Sequence, residues 1–226
     1  MPCAPRERIR TPLLQSFLQD AIYLIPAVLL SLSFHELSHG YVAFKLGDPT
    51  AKQAGRLTLN PLAHIDPLGT LCMLIFRFGW AKPVPVNVMY FKDRKKGMAI
   101  TAAAGPISNL LLAFVCMLLF VPVLAYAGWT TIGGYFANFL YIMVLINVGL
   151  AVFNLLPISP LDGSKILYAV LPNKIYFSIM QYERYFQPVL FLLLWTGLLS
   201  RPISFLRDAV IGGMQFLLQP FFALFF

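Results

Sequence analysis

The chain has 226 residues, of which 59% are hydrophobic and only 12% are charged, and its formal net charge is +8. Soluble domains are nearer half apolar and a quarter charged, so this composition indicates an integral membrane protein and excludes an ordinary soluble domain. In a membrane protein a positive balance reports cytoplasmic loops, so no nucleic-acid partner is predicted. The three cysteines, Cys3, Cys72 and Cys116, lack paired spacing and predict neither a disulfide framework nor a cysteine metal site.

Residues 21–46 are predicted to form the first membrane helix, after a polar, basic lead-in over residues 1–20. The helix would be about 39 Å long, which is enough to span a bilayer. No cleavable signal peptide is predicted, because its apolar run would have to include the polar motif described next.

That motif is His35-Glu36-Leu37-Ser38-His39, near the end of the first helix. Histidines four residues apart share one helix face and can bind one zinc ion, which leaves Glu36 beside the metal to take a proton. The alternative is a pair of buried histidines with an accidental glutamate. It is disfavoured because the chain has only three histidines and three glutamates, and because ionisable groups inside a membrane are usually functional.

Residues 47–96 carry eight lysines and arginines against three aspartates, which places this region on the cytoplasmic side. The apolar piece Leu68 to Phe76 is too short to span and is predicted as strands or a re-entrant segment. Trp80 to Val88 alternates and contains Pro83 and Pro85, as an edge strand would. We therefore expect a short membrane-associated β-hairpin or re-entrant segment that lines the active site.

Further membrane helices are predicted over residues 97–127 and 135–156, followed by an apolar segment at 186–199. Residues 204–226 could be a span or an interfacial helix, because they are apolar but contain Arg207 and Asp208. The predicted fold class is an all-α polytopic membrane protein built as a transmembrane helix bundle. The chain is predicted to form a single domain over 1–226, with a catalytic core at about 21–163 and C-terminal helices at 164–226.

Asp162 is the candidate third ligand. It follows a proline-rich helix end, and Gly163 would allow the backbone to turn so that the carboxylate points inward. Two histidines and one carboxylate leave the fourth zinc position open for water, which is typical of a catalytic site. The alternative is that Asp162 caps a helix that starts at Ser164.

Three ordered motifs resemble those of the site-2 protease family of intramembrane zinc metalloproteases. They are His35-Glu36-x-x-His39, Gly105-Pro106-x-x-Asn109, and Asn154-x-x-Pro157 followed by Leu161-Asp162-Gly163. The resemblance is to the small, domain-poor bacterial and archaeal members. It implies one Zn²⁺ per chain on His35, His39 and Asp162, Glu36 as the residue that activates water, and an active site facing the cytoplasm.

The resemblance implies hydrolysis of peptide bonds within or near transmembrane segments of membrane-protein substrates, that is, regulated intramembrane proteolysis in a multi-pass protein of the cell membrane. Asn109 and Asn154 are candidates for holding the substrate backbone or the oxyanion, although both could simply bond helix to helix. Pro83 and Pro85 lack donors on one side of the predicted strand, whereas Val84 and Val86 keep their backbone donors on the other side and could pair with an extended substrate. His64, a possible accessory residue, is interpreted mainly as a loop histidine with local hydrogen bonds.

The sequence allows three alternative functions. A membrane zinc protease with a glutamate ligand has only Glu183 to offer, and a metal transporter would need ligands spread across the membrane. A catalytically silent receptor or scaffold that keeps the fold would have no need for Glu36. Predicted partners are the lipid bilayer and transmembrane substrates, whereas substrate identity, a regulatory partner and the oligomeric state are left open.

Overall fold

The computed structural model describes residues 12–67, 69, 72 and 80–225, with only the backbone described for residues 12–20 and for 173, 176, 177, 180 and 183. The eight helices that can be bounded in these ranges are α1 (Pro12–Lys45), α2 (Thr50–Gln53), α3 (Arg94–Ala127), α4 (Thr131–Asn154), α5 (Asp162–Val170), α6 (Asn173–Met180), α7 (Glu183–Trp195) and α8 (Ser200–Phe222). Short 3₁₀ turns occur at Pro61–Ala63 and Val88–Tyr90. The predicted all-α membrane bundle is confirmed.

Among the described residues, three helical segments are long and apolar enough to cross a membrane. They are Ala21–Lys45, Arg94–Ala127 and Thr131–Asn154, and the bent pair Arg184–Trp195 and Ser200–Phe222 provides a fourth if it counts as one span. Large apolar side chains on the outer surface, such as Ile132 and Trp129, are more than 80% exposed. Such a surface suits lipid rather than water, and the chain is an integral membrane protein.

Side-chain contacts fix the direction of the three long helices. The ring Nδ1 of His39 lies 2.7 Å from the carbonyl oxygen of Thr101, and the hydroxyl oxygen of Ser108 lies 3.5 Å from the carbonyl oxygen of Phe34. The earlier residue of α1 thus contacts the later residue of α3, so the two helices run antiparallel. The short connection from α3 to α4 then returns the chain in the direction of α1. The end of α1, the start of α3 and the end of α4 therefore lie at the same membrane face.

The apolar core lies in the other half of the bundle, where α1, α3, α4 and α8 meet. Its fully buried centre is formed by Ala27, Ala113 and Val148, and Leu218 brings α8 into the same cluster. The last helix thus packs on the bundle, and with α7 it forms a pair bent by 82°. Residues 204–226 were predicted to be either a span or an interfacial helix. The contact of Leu218 with the core shows that one face of α8 is buried against the bundle.

The predicted β-hairpin is not found, since the residues described here contain no strand. Residues 80–87, which we call the 80–87 segment, have no regular secondary structure and pair with no neighbouring strand. The physical reason is that Pro83 and Pro85 have no N–H, and the donors of Lys82, Val84 and Asn87 bond to groups of other elements. Most of the predicted piece at 68–76 lies outside the described residues.

Candidate metal centre

The two histidines of α1 lie one helical turn apart and meet at their ring nitrogens. The Nε2 atoms of His35 and His39 are 3.0 Å apart, with the rings nearly perpendicular, at 87°. Both side chains are buried. The i, i+4 spacing alone brings the two rings to the same helix face, so this half of the site is local to α1.

Asp162 reaches the histidines from the start of α5. Its Oδ2 atom lies 3.1 Å from the Nε2 atom of His35 and 3.1 Å from that of His39. Its other oxygen, Oδ1, accepts a hydrogen bond of 3.0 Å from Lys165. Among the described residues, these three side chains form the one group of histidine, cysteine or acidic residues close enough together to hold a metal ion.

A tight turn over residues 155–161 carries the chain from α4 to Asp162. At Gly163, an added Cβ atom would lie 2.2 Å from the carbonyl oxygen of Leu155, so only glycine allows this approach. The Ser164 hydroxyl donates to the carbonyl of Leu161 at 2.7 Å and ties the first turn of α5 to the turn before it. The aspartate is therefore positioned by backbone packing, and α5 begins with Asp162 rather than at Ser164 as the capping alternative required.

The ionisation of the cluster fits a cation ligand set. Burial alone would raise the pKa of the Asp162 carboxyl, but hydrogen bonds with His35 and His39 and the charges of His39 and Lys165 lower this pKa well below its usual range. The His39 Nδ1 atom donates to Thr101, so in the neutral ring Nε2 is an acceptor. When the His39 ring is neutral, His39 Nε2 and Asp162 Oδ2 are two buried acceptors 3.1 Å apart. A bound cation would then satisfy both, as the proton of a charged His39 ring does without it.

The distances also suit zinc. Nitrogen and oxygen ligands at zinc distances in a tetrahedral site lie roughly 3.3 Å from one another, and the three atoms here are 3.0–3.1 Å apart. A carboxylate and two imidazoles with a free fourth direction form a donor set of the catalytic type.

Gly105 allows α3 to approach the histidines closely. A Cβ atom at this position would lie 2.4 Å from the Nε2 atom of His39 and 2.6 Å from the Cε1 atom of His35. No side chain fits without moving the rings. The glycine of the Gly105-Pro106 motif is therefore part of the wall of the site.

Glu36 points toward the 80–87 segment. Its Oε2 atom accepts a hydrogen bond of 2.8 Å from the N–H of Val84, whose side chain is buried near Gly40. Its Oε1 atom has no hydrogen-bond partner within the described part of the chain. The N–H of Val86 likewise donates to no described residue, so of the two valine donors predicted to meet substrate, one is engaged and one is free.

Three further contacts fasten the 80–87 segment, and sequence reasoning missed two of the residues that make them. Buried Arg56 donates to the carbonyl of Lys82 at 2.7 Å, and fully buried Asp48 accepts from the N–H of Asn87 at 2.6 Å. The N–H of Lys82 donates to the carbonyl of His64 at 2.8 Å. Arg56 and Asp48 looked like ordinary loop charges, and only their burial distinguishes them.

His64 does not join the metal cluster. Its Nε2 atom lies 2.8 Å from the carbonyl oxygen of Thr58, a partner six residues away. This geometry agrees with the interpretation of His64 as a loop histidine.

The two candidate asparagines differ. Asn109 is fully buried, and its Nδ2 atom has no partner among the described residues. Asn154 donates to the carbonyl of Leu150 in its own helix at 3.0 Å.

A third asparagine, Asn147, was missed by sequence reasoning. It is fully buried and donates to the Ser31 hydroxyl at 2.8 Å, which joins α4 to α1.

Comparison with known proteins identifies similar zinc metalloproteases. Residues 122–196, which include Asp162, match the model of peptidase family M50. The chain is 40% identical over 205 residues to "Putative zinc metalloprotease YwhC" of Bacillus subtilis, a match that covers 88% of this chain and 93% of the relative.

More distant relatives share part of their length with this chain. "Putative zinc metalloprotease Rip2" of Mycolicibacterium smegmatis is 32% identical over 66% of this chain and 57% of the relative. "Putative zinc metalloprotease MJ0611" of Methanocaldococcus jannaschii is 37% identical over 59% of this chain and 63% of the relative. No solved structure matches the chain significantly.

Identity of 40% across nearly the full length of a relative is far more than a shared motif, and it accompanies a buried group of His35, His39 and Asp162 that could hold a metal ion. The chain therefore belongs to peptidase family M50, the site-2 protease family, and is a zinc metalloprotease.

Proposed function

We propose that this chain is an intramembrane protease that hydrolyses peptide bonds within or near transmembrane segments of membrane proteins. The observation that carries the proposal is the position of the ligand set. His35 and His39 lie six to ten residues before the end of a spanning helix, about 9 to 15 Å from its polar end, and they are buried together with Asp162. A site at this depth is reached by a segment that itself lies in the membrane.

One zinc ion per chain would be held by His35, His39 and Asp162. When bound, zinc supplies a Lewis acid and lowers the pKa of water in the site. Lys165 holds Oδ1 of Asp162, which leaves Oδ2 turned toward the histidines. The bond from His39 to Thr101 keeps the His39 lone pair on the same centre.

Glu36 is the proposed general base. The Val84 N–H fixes one of its carboxylate oxygens, and Oε1 remains available to accept a proton from the attacking water. The same residue then delivers the proton to the leaving amine. Asn109, with a buried amide that lacks a partner in the described residues, is the preferred candidate for contacting the developing oxyanion.

The proposed orientation places the active site toward the cytoplasm. Residues 47–96 follow α1 directly and carry an excess of lysine and arginine, whereas the connection of α3 to α4 has no charge. The histidines lie nearer the basic end. We propose one domain over residues 1–226 with its catalytic core at about 21–163, in the cytoplasmic membrane, and cleavage under the control of a partner protein.

The test compares the purified chain with its Glu36→Gln variant on a panel of single-span membrane proteins. The amide keeps the shape of the side chain but cannot accept the proton, so we expect cleavage to fall by roughly 10²-fold or more while zinc content stays the same. Elemental analysis and gel-based cleavage supply the two readouts. Cleavage by the variant at the parent rate would refute the role of Glu36, and cleavage restricted to soluble peptides would refute the intramembrane substrate class.

A further inference from the structure

A cavity lies beside the candidate metal centre, between the first turn of α3 and α5. Its volume is about 450 Å³. The lining contains none of His35, Glu36, His39 and Asp162. The cavity is therefore distinct from the candidate metal ligands, although Lys165 lines it and also holds Oδ1 of Asp162.

The charged side chains that line this cavity are all cations: Arg94, Lys95 and Lys165. Lys95 donates to the carbonyl of Leu171 at 3.1 Å, and Lys165 is paired with Asp162. Within the described residues Arg94 forms no ion pair. Among the described residues, the charged lining is thus entirely cationic, which favours an anionic occupant.

The remaining walls are largely apolar. Val88, Met98, Pro160 and Ala169 line them, next to the hydroxyl groups of Ser159 and Tyr168. A small inorganic anion would leave these walls without contacts. An amphiphile with an anionic head and an apolar body would use both parts of the lining.

The cavity also lies at the expected depth for such a molecule. Arg94 is the first residue of a spanning segment. The neighbouring surface exposes Tyr90, Leu167 and Val170, of which Val170 is 80% exposed. Basic residues mixed with exposed apolar and aromatic groups mark the level of the lipid headgroups.

We propose that this cavity is a binding site for the phosphate headgroup of an anionic phospholipid, with Arg94 and Lys95 as its main cationic contacts. The site does not depend on peptide hydrolysis, so its test and that of the proposed function fail independently.

The test measures lipid retained by the purified chain in neutral detergent, by native mass spectrometry, with phosphatidylglycerol and phosphatidylcholine as probes. We expect the parent to bind phosphatidylglycerol more tightly, and the double variant Arg94→Gln/Lys95→Gln to lose roughly tenfold or more of that affinity. The matched control is Lys92→Gln/Lys96→Gln, which removes two charges from the same stretch but outside the cavity. It should bind as the parent does.

A third variant, Ala169→Phe, fills the cavity without changing its charge and should also lose phosphatidylglycerol. Equal binding of the two lipids would overturn the proposal, as would equal loss in the two double variants, because surface charge would then be sufficient. Inorganic phosphate that displaces the lipid at comparable concentration would show a free-anion site. Displacement by an acidic peptide, together with weak lipid binding, would show that a protein segment is the occupant.

Discussion

The two halves of the helix bundle are held together in different ways. In the half near the basic loop, α1 and α3 meet through polar atoms, including the buried pair His39 and Thr101 and the partly buried pair Ser108 and Phe34. In the other half the same helices, with α4 and α8, pack through apolar side chains around Val148. The first kind of contact depends on direction and distance, whereas the second depends on volume. Changes in the polar half should therefore abolish metal binding or catalysis, and changes in the apolar half should lower stability.

The largest expected effect in the polar half comes from removing a proposed metal ligand. We expect His35→Ala to lose zinc almost completely, because two of three ligands cannot hold the ion. His64→Ala should keep close to one zinc per chain, since His64 bonds to Thr58 in its own loop. Elemental analysis of both purified variants gives the answer. Equal metal loss in the two would mean that the ligands are assigned wrongly.

The second test shifts the rings of His35 and His39 without substituting either histidine. Gly105→Ala would bring a Cβ atom to 2.4 Å from the ring of His39, so we expect zinc affinity to fall by roughly 100-fold. Gly149→Ala is the matched control, because that glycine is also helical and an added Cβ would meet nothing within 4 Å. Zinc titration of the two variants in the same detergent supplies the measurement. Tight zinc binding by Gly105→Ala would show that the approach of α3 is adjustable.

Sequence reasoning singled out the three residues that the structure brings together, His35, His39 and Asp162, because their signals are local or chemically rare. The spacing of His35 and His39 within one helix is visible in the sequence, and Asp162 stands out as an acid in an apolar context. The contacts of Arg56 and Asp48 were missed because each joins segments far apart in the chain, and burial cannot be read from residue type. The predicted strand at Trp80 to Val88 failed for a related reason. Alternation and prolines indicate extended backbone, but they do not say which groups accept its hydrogen bonds.

The third test acts in the apolar half. Leu140→Ala removes a side chain that is 4% exposed in the core cluster. The cavity left behind should lower the unfolding temperature by roughly 5 °C, since packing is the main attraction between membrane helices. Zinc content should not change. Thermal unfolding in detergent, followed together with metal content, checks both statements, and loss of zinc at intact stability would contradict the division into two halves.

The smallest expected effect also concerns the polar half, where the 80–87 segment lies against Glu36. The Val84 N–H is already bonded to Glu36, whereas the Val86 N–H is free among the described residues. An extended substrate that adds alongside the segment would therefore use Val86 first.

Val86→Pro removes that donor, and the loss of one main-chain hydrogen bond should lower cleavage by roughly fivefold. Val86→Ala is the matched control, because it shortens the side chain but keeps the N–H, so its rate should stay near that of the parent. Zinc content should be the same in all three proteins, since Val86 touches no ligand. The measurement is the initial cleavage rate of one membrane substrate at limiting concentration. If both variants cut as fast as the parent, the segment does not pair with substrate at this position; if both slow equally, the valine side chain rather than its N–H makes the contact.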